Sequence, residues 1–173
     1  MFRKFLLVLF LFCFSNTALA YRGANIFAYP RPVPESKIFN QYGQAFQLKD
    51  FAGDFLIIVF WSKTCIPCIR ELDDLNAFVK KTQDNNIKVI LVSPHEDWQT
   101  EGEQLSFLKK YGGVNLDFYT DKKSALATDF GIFTSPHTVL VNDSSMEIGR
   151  IRGAVDWDKE DIIEYIYTIK AQN

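Results

Sequence analysis

The chain has 173 residues, 47% of them hydrophobic and 23% charged, which is the balance of one globular domain and excludes a disordered polypeptide. A formal charge of −2 excludes the basic footprint of a nucleic-acid binder. Three cysteines are too few to staple a mini-scaffold that lacks a core.

The first twenty residues read as a secretion signal. Arg3 and Lys4 give a positive start, Phe5 to Phe14 is an unbroken apolar run, and Ala18 and Ala20 are the small residues that signal peptidase reads. The run is too short for a span of about 20 residues, so cleavage after Ala20 is expected, with an uncleaved membrane anchor as the alternative. Cys13 lies inside this run, without the small residue before it that a lipoprotein signal needs, and is discarded with it. The mature chain loses Arg3 and Lys4 but no carboxylate, so it is more acidic, and it keeps only Cys65 and Cys68. Residues 21–35 carry Pro30, Pro32 and Pro34 at alternate positions. Such a stretch resists helix and sheet and prefers polyproline II, so it reads as an N-terminal arm.

Residues 36–173 read as one α/β domain. Ile38–Phe39 and Ala45–Leu48 flank an Asn-Gln-Tyr-Gly-Gln turn, an N-terminal β-hairpin. Phe55 to Trp61 is a continuous apolar run, the pattern of a strand buried on both faces. A helix is expected from Cys65 to Lys81, with Cys68, Leu72, Leu75 and Val79 on its buried stripe. Lys88–Val92 is the next strand, and strand–helix–strand of this size makes a parallel βαβ unit. A helix over Gln99–Tyr111 ends at Gly112-Gly113. Leu116–Tyr119 reads as a short strand and Lys122–Phe130 as a short helix. Thr138–Val141 and Met146–Arg152 form an antiparallel hairpin around Asn142–Ser145. A last helix, Asp158–Lys170, presents Ile162, Ile163, Ile166 and Ile169, with Asp156 or Asp158 as its cap. The sum is a central mixed sheet flanked by helices on both faces.

Trp61 to Cys68 places two cysteines where a buried strand passes into a helix. Cys65 stands at the helix start, where unpaired N–H groups favour a thiolate and lower its pKa from the free value of ~8.5. Cys68, one turn on, lies on the buried stripe, where its thiolate is disfavoured. Pro67 suits the first helical turn. An attacking sulfur and a shielded resolving sulfur make a redox pair. Three plainer readings stay open. A zinc site has only His95 and His137 to complete it, a C-x-x-C disulfide closes too short a loop to stabilise much, and the pair can be buried inert thiols.

The strand–C-x-x-C–helix segment resembles the thioredoxin superfamily. The signal, hairpin and downstream pattern resemble its TlpA/ResA-like branch of extracytoplasmic thiol–disulfide oxidoreductases. The resemblance spans Ile38 to Lys170 and rests on V-F-W-S-K-T-C-I-P-C, on Glu71 three residues past Cys68, on Asp121 to Val141, and on Gly153 to Asp158. It implies a thioredoxin-like fold and a cis Pro136 beside the nucleophilic sulfur. It also implies a substrate groove at Trp61, Ile66, Pro67 and Ser135, and a proton-handling Glu71 that serves Cys68. Three departures stand out: Thr64 where many members have Trp, a polar Ser135, and His137 after Pro136. If His137 faces Cys65, its charge below about pH 6.5 would favour the thiolate. Trp157 is expected to pack near the site, and Lys63 to be solvated rather than to support the thiolate.

The expected activity is reduction of protein disulfides through a mixed disulfide, with no cofactor beyond the Cys65–Cys68 pair. Electrons would come from a membrane thiol–disulfide donor, and the protein would act as a monomer in the periplasm or an equivalent compartment, without nucleic acid. Two alternatives remain: a dithiol oxidase using the same residues, and a Cu(I) metallochaperone using Cys65, Cys68 and His137. A thiol peroxidase is disfavoured because no P-x-x-x-T/S-x-x-C segment is present.

Overall fold

The computed structural model describes residues 21–173; the expected signal segment lies outside the described residues. Eight strands, β1 (Ala24–Pro32), β2 (Ile38–Phe39), β3 (Ala45–Phe46), β4 (Phe55–Phe60), β5 (Ile87–Pro94), β6 (Asp117–Asp121), β7 (His137–Val141) and β8 (Met146–Arg152), form one sheet in the order β1-β8-β7-β4-β5-β6-β2-β3. The β4–β5 and β5–β6 pairs are parallel; β4–β7, β7–β8, β1–β8, β2–β6 and β2–β3 are antiparallel. The expected βαβ unit and both hairpins are present.

Strand β4 shows why the sheet carries two cores. Every residue from Phe55 to Phe60 is buried. Ile57, Val59 and Trp61 enter one cluster, with Leu75, Phe78 and Ile166. Leu56, Ile58 and Phe60 enter the other, with Leu126 and Phe130. Side chains alternate across the sheet, so an unbroken apolar strand needs a layer on each side. The first layer holds α2 (Leu72–Thr82), α3 (Glu101–Lys110) and α5 (Glu160–Gln172); the second holds α4 (Ala125–Asp129). Among the described residues no helix is long and apolar enough to cross a membrane.

Three expectations are corrected. Residues 24–32 are not a polyproline arm but the outermost strand, antiparallel to β8. An edge strand tolerates proline because its outward N–H needs no partner, and Pro30 falls where the ladder is interrupted between Ile26 and Arg31. The helix expected from Cys65 to Lys81 is two helices, α1 (Ile66–Arg70) and α2, joined at Glu71 with φ −86° and ψ −4°. Past the join Phe78 takes the fully buried position, and Val79 is only partly buried. Neither Asp156 nor Asp158 caps α5: its N-cap is Lys159, and the Asp156 carboxylate accepts from the Lys159 ammonium at 2.7 Å.

The Gly112-Gly113 stop is as expected. Gly112 has φ +85°, and the Gly113 N–H donates to the Leu108 carbonyl at 2.8 Å, closing α3 in a left-handed cap.

Candidate active site

Strand β4 delivers Trp61 to the end of the sheet, and the chain turns through Ser62–Thr64 into Cys65. Cys65 is the N-cap of α1 and is disulfide-bonded to Cys68. The Cys68 N–H donates to Cys65 Sγ at 3.3 Å. That N–H is one of the unpaired donors of a helix start, and it would stabilise a Cys65 thiolate once the bond is reduced. Cys65 is partly exposed, whereas Cys68 is 1% exposed. The asymmetry expected from the sequence is therefore in place. Ile66 and Pro67 are exposed beside the disulfide, Ile66 at 62%.

Glu71 follows Cys68 by three residues, about one helical turn. It is buried, and its Oε2 accepts the Val155 N–H at 3.0 Å. Burial raises its pKa from 4.5 to about 7; the Val155 bond opposes the rise and the Asp74 carboxylate adds to it. A carboxyl that titrates near neutrality can both take and return a proton. Val155 belongs to the Gly153–Asp158 stretch, so a turn distant in sequence holds the Glu71 carboxyl in place.

The Ser135-Pro136 peptide is cis. Pairing of Phe60 with His137 sets Trp61 opposite Pro136, which brings the two site segments together across β4 and β7. Pro136 is buried, its carbonyl accepts the Gly153 N–H at 3.1 Å, and Ser135 is exposed. Trp61 and Ser135 line a common cavity of about 260 Å³ with Ser62, Ser124 and Phe133. Trp61 itself is 2% exposed and packs on Trp98 and Phe107, so it is the wall of the groove rather than an open contact.

His137 does not share a face of the sheet with the cysteine pair. Its register partner Phe60 belongs to the cluster on the α4 side, whereas Cys68 belongs to the cluster on the other face. Burial lowers its pKa from 6.5 to about 4, helped by the charges of Arg150 and Arg152. The ring is thus held in its neutral form, and the condition for it to favour the Cys65 thiolate is not met. Among the described residues no group of three or more His, Cys, Asp or Glu side chains is placed to hold a metal ion. Lys63 pairs with Glu103 at 2.7 Å, and Trp157 is buried edge-on against Phe78.

The sequence reading missed two contributors. Phe133 is 83% exposed at the rim of the Ser135 cavity; its sequence signal is an aromatic in the short Gly131–Ser135 loop just before Pro136. Asp121 opens the Asp121–Val141 segment, and its carboxylate accepts the N–H groups of Leu126 and Ala127 at 3.0 and 2.9 Å and anchors α4 beside the groove.

With this geometry in view, the comparisons are specific. The family model described as "AhpC/TSA family" matches residues 30–166. The chain belongs to the AhpC/TSA family. Within that family it is 24% identical over 139 residues to the thiol-disulfide oxidoreductase ResA of Bacillus thuringiensis subsp. konkukian, covering 80% of this chain and 77% of ResA. Among solved structures, a DsbF homologue from Corynebacterium diphtheriae superposes with a TM-score of 0.67 at 17% identity, over 85% of this chain and 93% of that one. A thiol:disulfide interchange protein DsbE from Chlorobium tepidum gives 0.65 at 20% identity, over 80% and 95%. The fold is thioredoxin-like, and C-x-x-C at the start of a helix places the chain among the thiol–disulfide oxidoreductases of its AhpC/TSA family.

Proposed function

We propose that the protein is an extracytoplasmic reductase of protein disulfides. The observation that carries this reading is the asymmetric pair: Cys65 at the surface with an N–H directed at its sulfur, and Cys68 buried one turn from a carboxyl that titrates near pH 7. In the reduced protein the Cys65 thiolate attacks one sulfur of a substrate disulfide. A Cys65–substrate disulfide forms, and the other substrate sulfur leaves and takes a proton. Glu71 then accepts the Cys68 proton, and the Cys68 thiolate attacks Cys65 Sγ. The second substrate thiol leaves, and the Cys65–Cys68 disulfide is restored. Two electrons pass to the substrate; a membrane thiol–disulfide donor would return them. The exposed Ile66 and the exposed Ser135 edge support a protein substrate laid across the groove.

Equilibration in glutathione or dithiothreitol buffers, with free thiols counted by alkylation, tests the direction of electron flow. A potential near about −250 mV or lower is the expected result, and one near about −120 mV would overturn it in favour of a dithiol oxidase.

A further inference from the structure

A second polar hollow, about 460 Å³, lies between β1 and β8. Its walls include Arg31, Arg150 and Arg152. Such a concentration of cations is notable in a chain whose net charge is negative. Arg150 is already occupied: it pairs with the buried Glu147 and donates to the Phe130 carbonyl at 2.8 Å. Arg31 and Arg152 are exposed and, among the described residues, neither is within ion-pair distance of a carboxylate. Arg31 lies 4.1 Å over the Phe27 ring, which holds its planar face and leaves its edge donors to the hollow. The strands approach closely here: a Cβ on Gly23, which lines the hollow, would meet the Arg152 carbonyl at 2.8 Å, so glycine lets β1 lie against β8.

The hollow adjoins the substrate groove. Arg152 ends β8 opposite His137, the residue after Pro136, and the next N–H, that of Gly153, is bonded to the Pro136 carbonyl. Arg152 therefore stands about one strand spacing, near 4.8 Å, from the backbone that follows Pro136, so a chain crossing Ser135 and Pro136 passes within reach of a long side chain. We propose that the Arg31–Arg152 hollow binds carboxylates of the substrate protein, in an acidic stretch flanking the cysteine that Cys65 attacks. Guanidinium groups suit this ligand because their paired donors match the two oxygens of a carboxylate. This rests on the oxidoreductase reading and adds to it the class of substrate.

The test uses two peptides of the same length, each with its cysteine in mixed disulfide with 2-thiopyridine. One carries Asp and Glu beside the cysteine and the other Asn and Gln. Thiopyridone release by the reduced protein is followed at low and high salt. The acidic peptide is expected to react about tenfold faster at low salt, as steered association does, and the advantage should fade at high salt. In the Arg31→Gln/Arg152→Gln protein the ratio of the two rates should fall to about one. Equal rates in the unmodified protein, or an advantage that survives both substitutions, would overturn the proposal. Lysine at both positions should restore part of the ratio, which a mere loss of folding would not allow. If neither peptide reacts faster than with the same concentration of glutathione, the oxidoreductase reading itself falls. Sedimentation with phosphatidylglycerol vesicles covers the other anionic partner. Vesicle binding lost in the double variant, with no peptide preference in the unmodified protein, would assign the hollow to lipid headgroups and overturn the substrate assignment.

Discussion

Glu71 and His137 are both buried titratable side chains, but burial moves them in opposite senses and to different ends. Glu71, raised to about 7, favours the folded state while protonated: its contribution is present below pH 4.5 and is lost as pH rises through about 7. His137, lowered to about 4, does the reverse: its contribution is present above pH 6.5 and is lost as pH falls toward 4. Between pH 4.5 and 6.5 the two slopes oppose each other, so the whole protein should show little net change there from this pair. Glu71→Gln is expected to unmask the His137 slope and to raise stability at pH 8 by on the order of 2 kcal/mol, read by urea unfolding at several pH values. The same variant should release product from the mixed disulfide more slowly, and the deficit should grow above pH 7, where Glu71 is the available base. Rapid quench with alkylation measures the trapped intermediate, and wild-type turnover at pH 8 would count against the proton-transfer role. Cys68→Ser should accumulate the same intermediate at every pH.

Among the elements, α3 and α4 each depend on one short device. Gly112 combines positive φ with close approach: a Cβ there would lie 2.6 Å from Asp73 Oδ1. Gly112→Ala is therefore expected to cost about 1–3 kcal/mol in denaturant unfolding, more than the usual loss of a helix-interior alanine, with the redox potential unchanged. Asp121 holds the start of α4 through two backbone N–H groups, and Lys123 and Ser124 before it take positive φ, a turn that the carboxylate stabilises. Asp121→Ala should lose about 1–2 kcal/mol and loosen the α4 wall of the Ser135 cavity, visible as faster amide exchange at Leu126 and Ala127. The break at Glu71 belongs to this scale too. Sequence periodicity ran straight through it, because Cys68, Leu72 and Leu75 keep helical spacing on both sides of the join. The distortion is tied to a hydrogen bond with Val155, a partner 84 residues away, which no local pattern encodes.

For the whole molecule, what could be read in advance was what neighbouring residues decide. Phe55–Phe60 is apolar without alternation and lies between two layers. The cysteine pair stands where a strand yields to a helix. The glycines at 112–113 end α3. What could not be read depends on partners remote in the chain: the face on which His137 lies, the pairing of Lys63 with Glu103, and the fate of the proline-rich segment. That last segment looked unfit for a sheet by composition, and it joins one because its place is the rim, where a missing N–H is harmless.

The place of β1 has a further meaning for how the molecule behaves in company. A sheet that ended at β8 would leave a seven-residue row of unsatisfied amides and carbonyls open to a neighbouring chain, the usual seed of ordered aggregation. β1 covers that row, and its own outer side is interrupted at Phe27–Pro30 and bears prolines, so it offers nothing regular for another chain to copy. At the opposite rim β3 is only two residues long. Removing residues 21–33 should turn a well-behaved solute into one whose light scattering climbs with concentration and whose aggregates bind thioflavin T. The proline-bearing strand thus serves as a guard against self-association, a duty unrelated to the chemistry at Cys65.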